Sequence, residues 1–197
     1  MKRRNALACV SLVPLLLAGC ASTPAPTHWY ELKSEPPEAV PPPRPGDKAV
    51  WELSGRMRLP GALERDTLVV ASGAASVVPL VGHRWVEPLR ESIPVRLAAD
   101  LARLRGEGLV WPGPAPAGVG VTRRLRVEID TLVADEARRV LRLRARWWLT
   151  DTTTSATPPT TGMAGIGIEL PDRSVDALAA AHRLAIWRLA LRITGTP

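Results

Sequence analysis

Residues 123–149 constrain the fold more than any other stretch of this 197-residue chain. In residues 123–133, Leu125, Val127, Ile129 and Thr131 alternate with Arg124, Arg126, Glu128 and Asp130. In residues 139–149, Leu141, Leu143, Ala145, Trp147 and Leu149 alternate with Arg142, Arg144 and Arg146. Side chains two apart share one face of a strand, so each run has a buried face and a charged face. Residues 134–138 are too few for a crossover, which makes the pair an antiparallel hairpin. Carboxylates of the first strand then lie across from arginines of the second, a modestly stabilising arrangement. A sheet wetted on one side must bury the other, and helices are the usual cover.

Two helical stripes supply that cover. Leu89, Ile93, Leu97, Leu101 and Leu104 recur at helical spacing. Pro88 sits where a helix start does not need its missing N–H. Pro94 falls inside the stripe and implies a separate first turn or a kink. In residues 174–193, Val175, Leu178, His182, Ala185, Leu189 and Ile193 form one stripe, and Leu184, Trp187 and Leu191 form a second. Asp172 or Ser174 caps this helix. Being apolar on more than one face, it must be covered by the sheet and by the first helix or another chain.

Shorter signals complete the order. Residues 28–32 read as a first strand, residues 49–59 alternate until Pro60-Gly61, and residues 67–72 and 75–80 flank Gly73 as a tight hairpin. Residues 162–170 alternate again, with Gly165 and Gly167 leaving room for a close neighbour on their face. Residues 35–46 are a proline-rich extended loop, and residues 109–121 are glycine and proline punctuation. The expected class is α+β: a mostly antiparallel sheet with two helices packed on one face, in the order strands, helix, strands, helix.

The first 27 residues read differently. Lys2, Arg3 and Arg4 precede an apolar run, residues 6–17, that is too short for a permanent bilayer span. Residues 1–19 are therefore read as a secretory signal peptide. Its closing Leu17-Ala18-Gly19-Cys20 resembles the lipobox of bacterial lipoproteins. That resemblance implies cleavage before Cys20, a diacylglyceryl group on its thiol and an acyl chain on the new amine. Ala21, where inner-membrane lipoproteins often carry Asp, implies an anchor in the periplasmic leaflet of the outer membrane. Residues 20–27 become the lipidated cysteine and tether, and residues 28–195 the folded domain. The chain has 2 Cys, and with Cys9 in the signal peptide no disulfide is left to the mature protein. A net charge of +7 would ordinarily raise nucleic acid as a partner. Export excludes it, and a basic surface suits anionic headgroups or an acidic partner.

Chemistry-bearing residues are sparse. His28, His83 and His182 lack metal-ligand spacing, and no nucleophile elbow surrounds Ser92. Neither an enzyme nor a cofactor beyond the lipid is expected. Trp85 is read first as packed under the first helix, with Glu87 and Pro88 setting its start, and second, together with Arg84 and Glu87, as part of a partner surface. Trp148, beside the outward arginines, and Trp187 join them as partner-binding candidates.

Leu59-Pro60 with Leu63-Glu64-Arg65-Asp66, His83-Arg84-Trp85-Val86-Glu87-Pro88-Leu89, Leu141 through Trp147 and the last helix carry a family likeness. Together they resemble the ABC-type transport auxiliary lipoproteins, the PqiC-like, paraquat-inducible group. The resemblance implies a lipoprotein that docks an MCE-type lipid transport assembly at the outer membrane. Its implied partners are an MCE-domain protein and an inner-membrane transport component, with a homo-oligomeric ring as an implied arrangement. The alternatives are a periplasmic lipid-binding carrier and a structural envelope lipoprotein.

Overall fold

The computed structural model describes residues 26–43, 47–154 and 156–195. The signal segment and Cys20 lie outside the described residues. In chain order the elements are β1 (His28–Tyr30), β2 (Trp51–Leu53), a 3-10 turn (Gly61–Glu64), β3 (Thr67–Ala71), β4 (Val77–Trp85), α1 (Leu89–Arg105), β5 (Val110–Pro112), β6 (Arg123–Asp135), β7 (Val140–Asp151), β8 (Thr160–Glu169) and α2 (Val175–Thr194).

Strand β6 is the centre of one eight-stranded mixed sheet. On one flank it pairs antiparallel with β7, which pairs antiparallel with β8. The other flank is divided. Strand β2 lies parallel against the start of β6, from Trp51↔Arg123 to Leu53↔Leu125. Strand β3 lies parallel against its end, at Val70↔Ala134 and Ala71↔Asp135. A single bridge between Arg58 and Glu128 spans the gap. Strand β5 joins β2 in parallel, β4 joins β3 antiparallel, and β1 joins β4 in parallel. The long ladders are antiparallel and the parallel contacts short, so the α+β architecture is the one the periodicities predict.

Both helices contribute to one hydrophobic core with the inner face of the sheet. Leu89, Ile93, Leu97, Leu101 and Leu104 of α1 are all buried, as are Leu125, Val127, Ile129, Leu141, Leu143 and Ala145. Each of these leucine, isoleucine and valine side chains stabilises the fold by about 1.5–3 kcal/mol relative to exposure. Helix α2 starts where the Ser174 hydroxyl accepts from the Ala177 N–H at 3.1 Å, and ends at Gly195 in the left-handed region, φ 67°. It packs against α1 beside it and against β7 and β8 of the sheet.

Several local expectations are corrected. Residues 49–59 form a strand only at Trp51–Leu53. Beyond it Gly55 runs so close to Gly113 that a Cβ there would lie 2.5 Å from the Gly113 carbonyl oxygen. Residues 109–121 contain β5, which the glycines and prolines conceal. Strand β4 runs on to Trp85, past residue 80 where the hairpin is expected to end, and Pro88 is the N-cap of α1 rather than lying just inside it. Helix α1 runs through Pro94 as one element, which removes the alternative of a separate first turn. A bulge between Ile129 and Thr131 reverses the facing of β6, so Leu132 and Ala134 turn inward and Thr131 does not. The tight neighbour on β8 is at Gly162, over which the Trp147 indole lies, while Gly165 faces open space.

Candidate functional site

Strand alternation separates the neighbours of the Arg84–Glu87 segment. Trp85 points into the core and is 2% exposed. Its ring meets the buried His182 edge-on at 5.3 Å. Arg84 points out and pairs with Asp66 at 2.7 Å, with both side chains nearly half exposed. Val86 and Glu87 follow on the surface. Across from them, β1 lies in register with β4, and the Tyr30 hydroxyl meets His83 Nδ1 at 2.9 Å. Burial, and then the Asp176 carboxylate, push the Tyr30 phenol above its ordinary range.

The charges that fix this region are underneath it. Asp100 of α1 is fully buried and Arg183 of α2 nearly so. Arg183 donates from both terminal nitrogens to the two Asp100 oxygens, at 2.7 and 2.8 Å. Its Nε donates to the Lys33 carbonyl at 2.7 Å, which ties the segment after β1 to both helices. Burial pushes the Asp100 carboxyl up from the usual carboxylate range, and the Arg183 hydrogen bonds oppose that shift. His182 donates from Nδ1 to the Leu178 carbonyl at 2.8 Å, and burial pulls its pKa down to about 4. The ring is therefore neutral and structural. Above Arg183 lies a groove of about 600 Å³, bounded by Trp29, Tyr30, Lys33, Val86 and Asp176. Trp29 and Val86 are each more than half exposed and give the groove an apolar edge alongside its charged residues Lys33 and Asp176.

Trp187 is fully buried and, like Trp85, belongs to the core; neither offers a partner any surface in this conformation. Trp148 is half-buried on the outer face of β7, with the Arg146 guanidinium 5.8 Å from its ring centroid. Strands β3 and β6 lie between its strand and that of Arg84, about 14 Å across the sheet, and the two residues are offset along the strands as well. The structure thus brings Arg84 and Glu87 together on one side and leaves Trp148 on another. On the outer face Glu128 is 6% exposed and accepts from Arg126 at 3.0 Å and Arg146 at 3.2 Å. Arg146 also reaches Asp130 at 3.4 Å. The cross-strand charge pairing expected for this hairpin is present.

The Asp100–Arg183 clamp escaped the sequence reading. Its signal is a charged residue in each of two apolar helical runs, Ala98–Leu101 and Ala181–Trp187, a pattern that needs a buried partner. Ser92 turns its hydroxyl to the Pro88 carbonyl at 3.4 Å, and His83 is engaged by Tyr30. Among the described residues no group of three or more His, Cys, Asp or Glu converges to hold a metal, and no helix is long and apolar enough to cross a membrane.

Two crystal structures share this architecture. One, of an uncharacterised protein, superposes with a TM-score of 0.67 at 14% identity and covers 86% of this chain and 97% of its own. The other, a Xanthomonas campestris protein of the DUF330 family, gives 0.66 at 12% identity and covers 86% and 93%. At these identities the likeness shows the fold alone. No curated protein matches the sequence. The family model for the ABC-type transport auxiliary lipoprotein component matches residues 30–194, the whole folded body from the last residue of β1 to the last of α2. The chain belongs to the ABC-type transport auxiliary lipoprotein component family.

Proposed function

We propose that this protein is anchored through Cys20 in the periplasmic leaflet of the outer membrane, where it docks the end of an MCE-type intermembrane lipid transport assembly. The family match over residues 30–194, downstream of a segment closing in Leu17-Ala18-Gly19-Cys20, carries the reading. A lipidated cysteine with three acyl chains is held far more firmly than one chain allows, since each buried methylene contributes about 0.8 kcal/mol. A body of this size has a radius of gyration near ~15 Å and stays close to its bilayer. Reaching the other membrane requires a longer partner, and the family's transport association supplies the class. The exposed Arg84 and Glu87, with Trp148 as a second patch, are the side chains proposed to meet it.

Mild crosslinking of the full-length protein in its own envelope, followed by purification, tests this. An MCE-domain protein is expected in the product. Its absence, with palmitate incorporated at Cys20, would leave the anchor standing and remove the docking role.

A further inference from the structure

One segment of the surface gathers three exposed valines, Val77, Val78 and Val81. Residues 67–82 carry no charged side chain, in a chain that is 23% charged. They form the β3–β4 hairpin, closed by the Ser72 N–H donating to the Ser76 carbonyl at 3.1 Å. Residues 72–79 are all exposed. Val77 is 49% exposed, Val78 45% and Val81 88%, so apolar side chains stand in water on both faces of the finger.

The direction of the chain says what these valines meet. Strand β1 runs parallel to β4, with His28 opposite His83. The chain ahead of His28 therefore comes from the end of the molecule where the hairpin turns. Pro26 already lies beside β4: its carbonyl oxygen is 3.2 Å from where a Gly82 Cβ would be. Cys20 is six positions ahead of Pro26, a reach of at most ~20 Å. From Gly82 to Val77 the strand itself covers about 17 Å. The tether is thus long enough for Cys20 to reach the end of the protein where the hairpin turns.

We infer that the β3–β4 hairpin is a second membrane contact, a finger whose valines enter the headgroup boundary of the bilayer that holds the lipidated Cys20. This rests on the anchoring proposed above. The chemistry of the finger fits a lipid interface: small and apolar residues at the turn, hydroxyls of Ser72 and Ser76 paired with each other, and no charge to desolvate. At its base Arg138 and Arg142 line a cleft with Ala71 and Ser72. Arg138 pairs with Asp135 at 3.6 Å, whereas Arg142 is exposed with no ion pair among the described residues and is free for a phosphate. Glu136 lies at the same end, so the apolar turn rather than net charge dominates the contact. A second copy adding a strand along this edge fits less well. Pro79 removes a donor from β4, and Gly82 at φ 77° interrupts its extended backbone.

Lipidated protein has no free thiol once Cys9 is removed and Cys20 is modified, so Val78→Cys or Val81→Cys introduces a unique one. Each variant is labelled with the environment-sensitive dye NBD and placed in phosphatidylethanolamine–phosphatidylglycerol vesicles containing doxyl-labelled phospholipid. Met163→Cys, 85% exposed on the far edge strand, is the control. The expected result is severalfold quenching by the doxyl lipid at positions 78 and 81 and none at 163. Equal, water-like emission at all three would overturn the inference while leaving the anchor intact. Blue-shifted emission that the lipid does not quench would also overturn it, assigning the finger to a second copy or to residues of the tether. A labelled Cys20, showing a bare sulfur, would overturn anchor and finger together.

Discussion

Replacing Arg183 by Met isolates the most costly interaction in the fold. The substitution removes two charge-assisted hydrogen bonds to Asp100 and the bond to the Lys33 carbonyl. Asp100 stays in the core with Arg103, 3.5 Å away and partly exposed, and the more distant Arg96 to answer its charge. An uncompensated buried charge costs about 3–5 kcal/mol. Asp100→Leu alone strands the guanidinium and costs a similar amount. The double variant Asp100→Leu, Arg183→Met removes both charges from an interface that is otherwise apolar. It is expected within about 1 kcal/mol of the parent, because a buried pair replaced by apolar groups of similar volume is close to neutral. The assay is urea unfolding of a chain starting at Ala21, followed by tryptophan emission, as a double-mutant cycle. Single losses that simply add in the double variant would refute the clamp, as would an Arg183→Met loss below about 1 kcal/mol.

Four further outcomes are expected. His182 has a folded pKa of about 4 against 6.5 unfolded, so the folded state binds fewer protons between those values. Its contribution is complete above pH 6.5 and is lost as pH falls towards 4, about 3 kcal/mol in all, and in urea titrations across that range His182→Leu flattens this limb. Gly162→Ala sets a Cβ against the Trp147 indole, and unfolding should report a loss of about 1–3 kcal/mol with a changed emission spectrum. Trp85→Ala should cost about 3–5 kcal/mol in the same assay, whereas the exposed Glu87→Ala should stay within about 0.5 kcal/mol. Cys20→Ala should abolish palmitate incorporation and release the protein from the outer-membrane fraction.

The long elements were legible because their periods repeat for ten residues or more. Residues 123–149 announced both faces of the central hairpin, and the leucines of α1 and the mixed stripes of α2 announced the cover. What failed was short or depended on a distant neighbour. Strand β5 is three residues among glycines and prolines, and only its pairing with β2 makes it a strand. The bulge at Ile129/Thr131 inserts one position and inverts the facing of all that follows, which alternation alone does not register. The tryptophans divided for a different reason. Large aromatic residues mark both cores and interfaces, and Trp187 and Trp85 belong to cores because their own stripe or strand face points inward. The Asp100–Arg183 clamp joins residues 83 positions apart, so each charge was visible and its partner was not.

The divided flank of β6 has a mechanical consequence. Traction on the chain ahead of Pro26 is delivered to β1, whose parallel ladder with β4 loads all three of its residue pairs in shear rather than unzipping them singly. From there the strain passes through β3, which grips β6 by only two pairs at its far end. The three-stranded flap would be the weak hinge of the molecule were it not riveted from below, where the Arg183 guanidinium grasps the Lys33 carbonyl and Asp100 at once. If Cys20 anchors the chain as proposed, a pull from the membrane is divided between the sheet and both helices rather than falling on β1 alone.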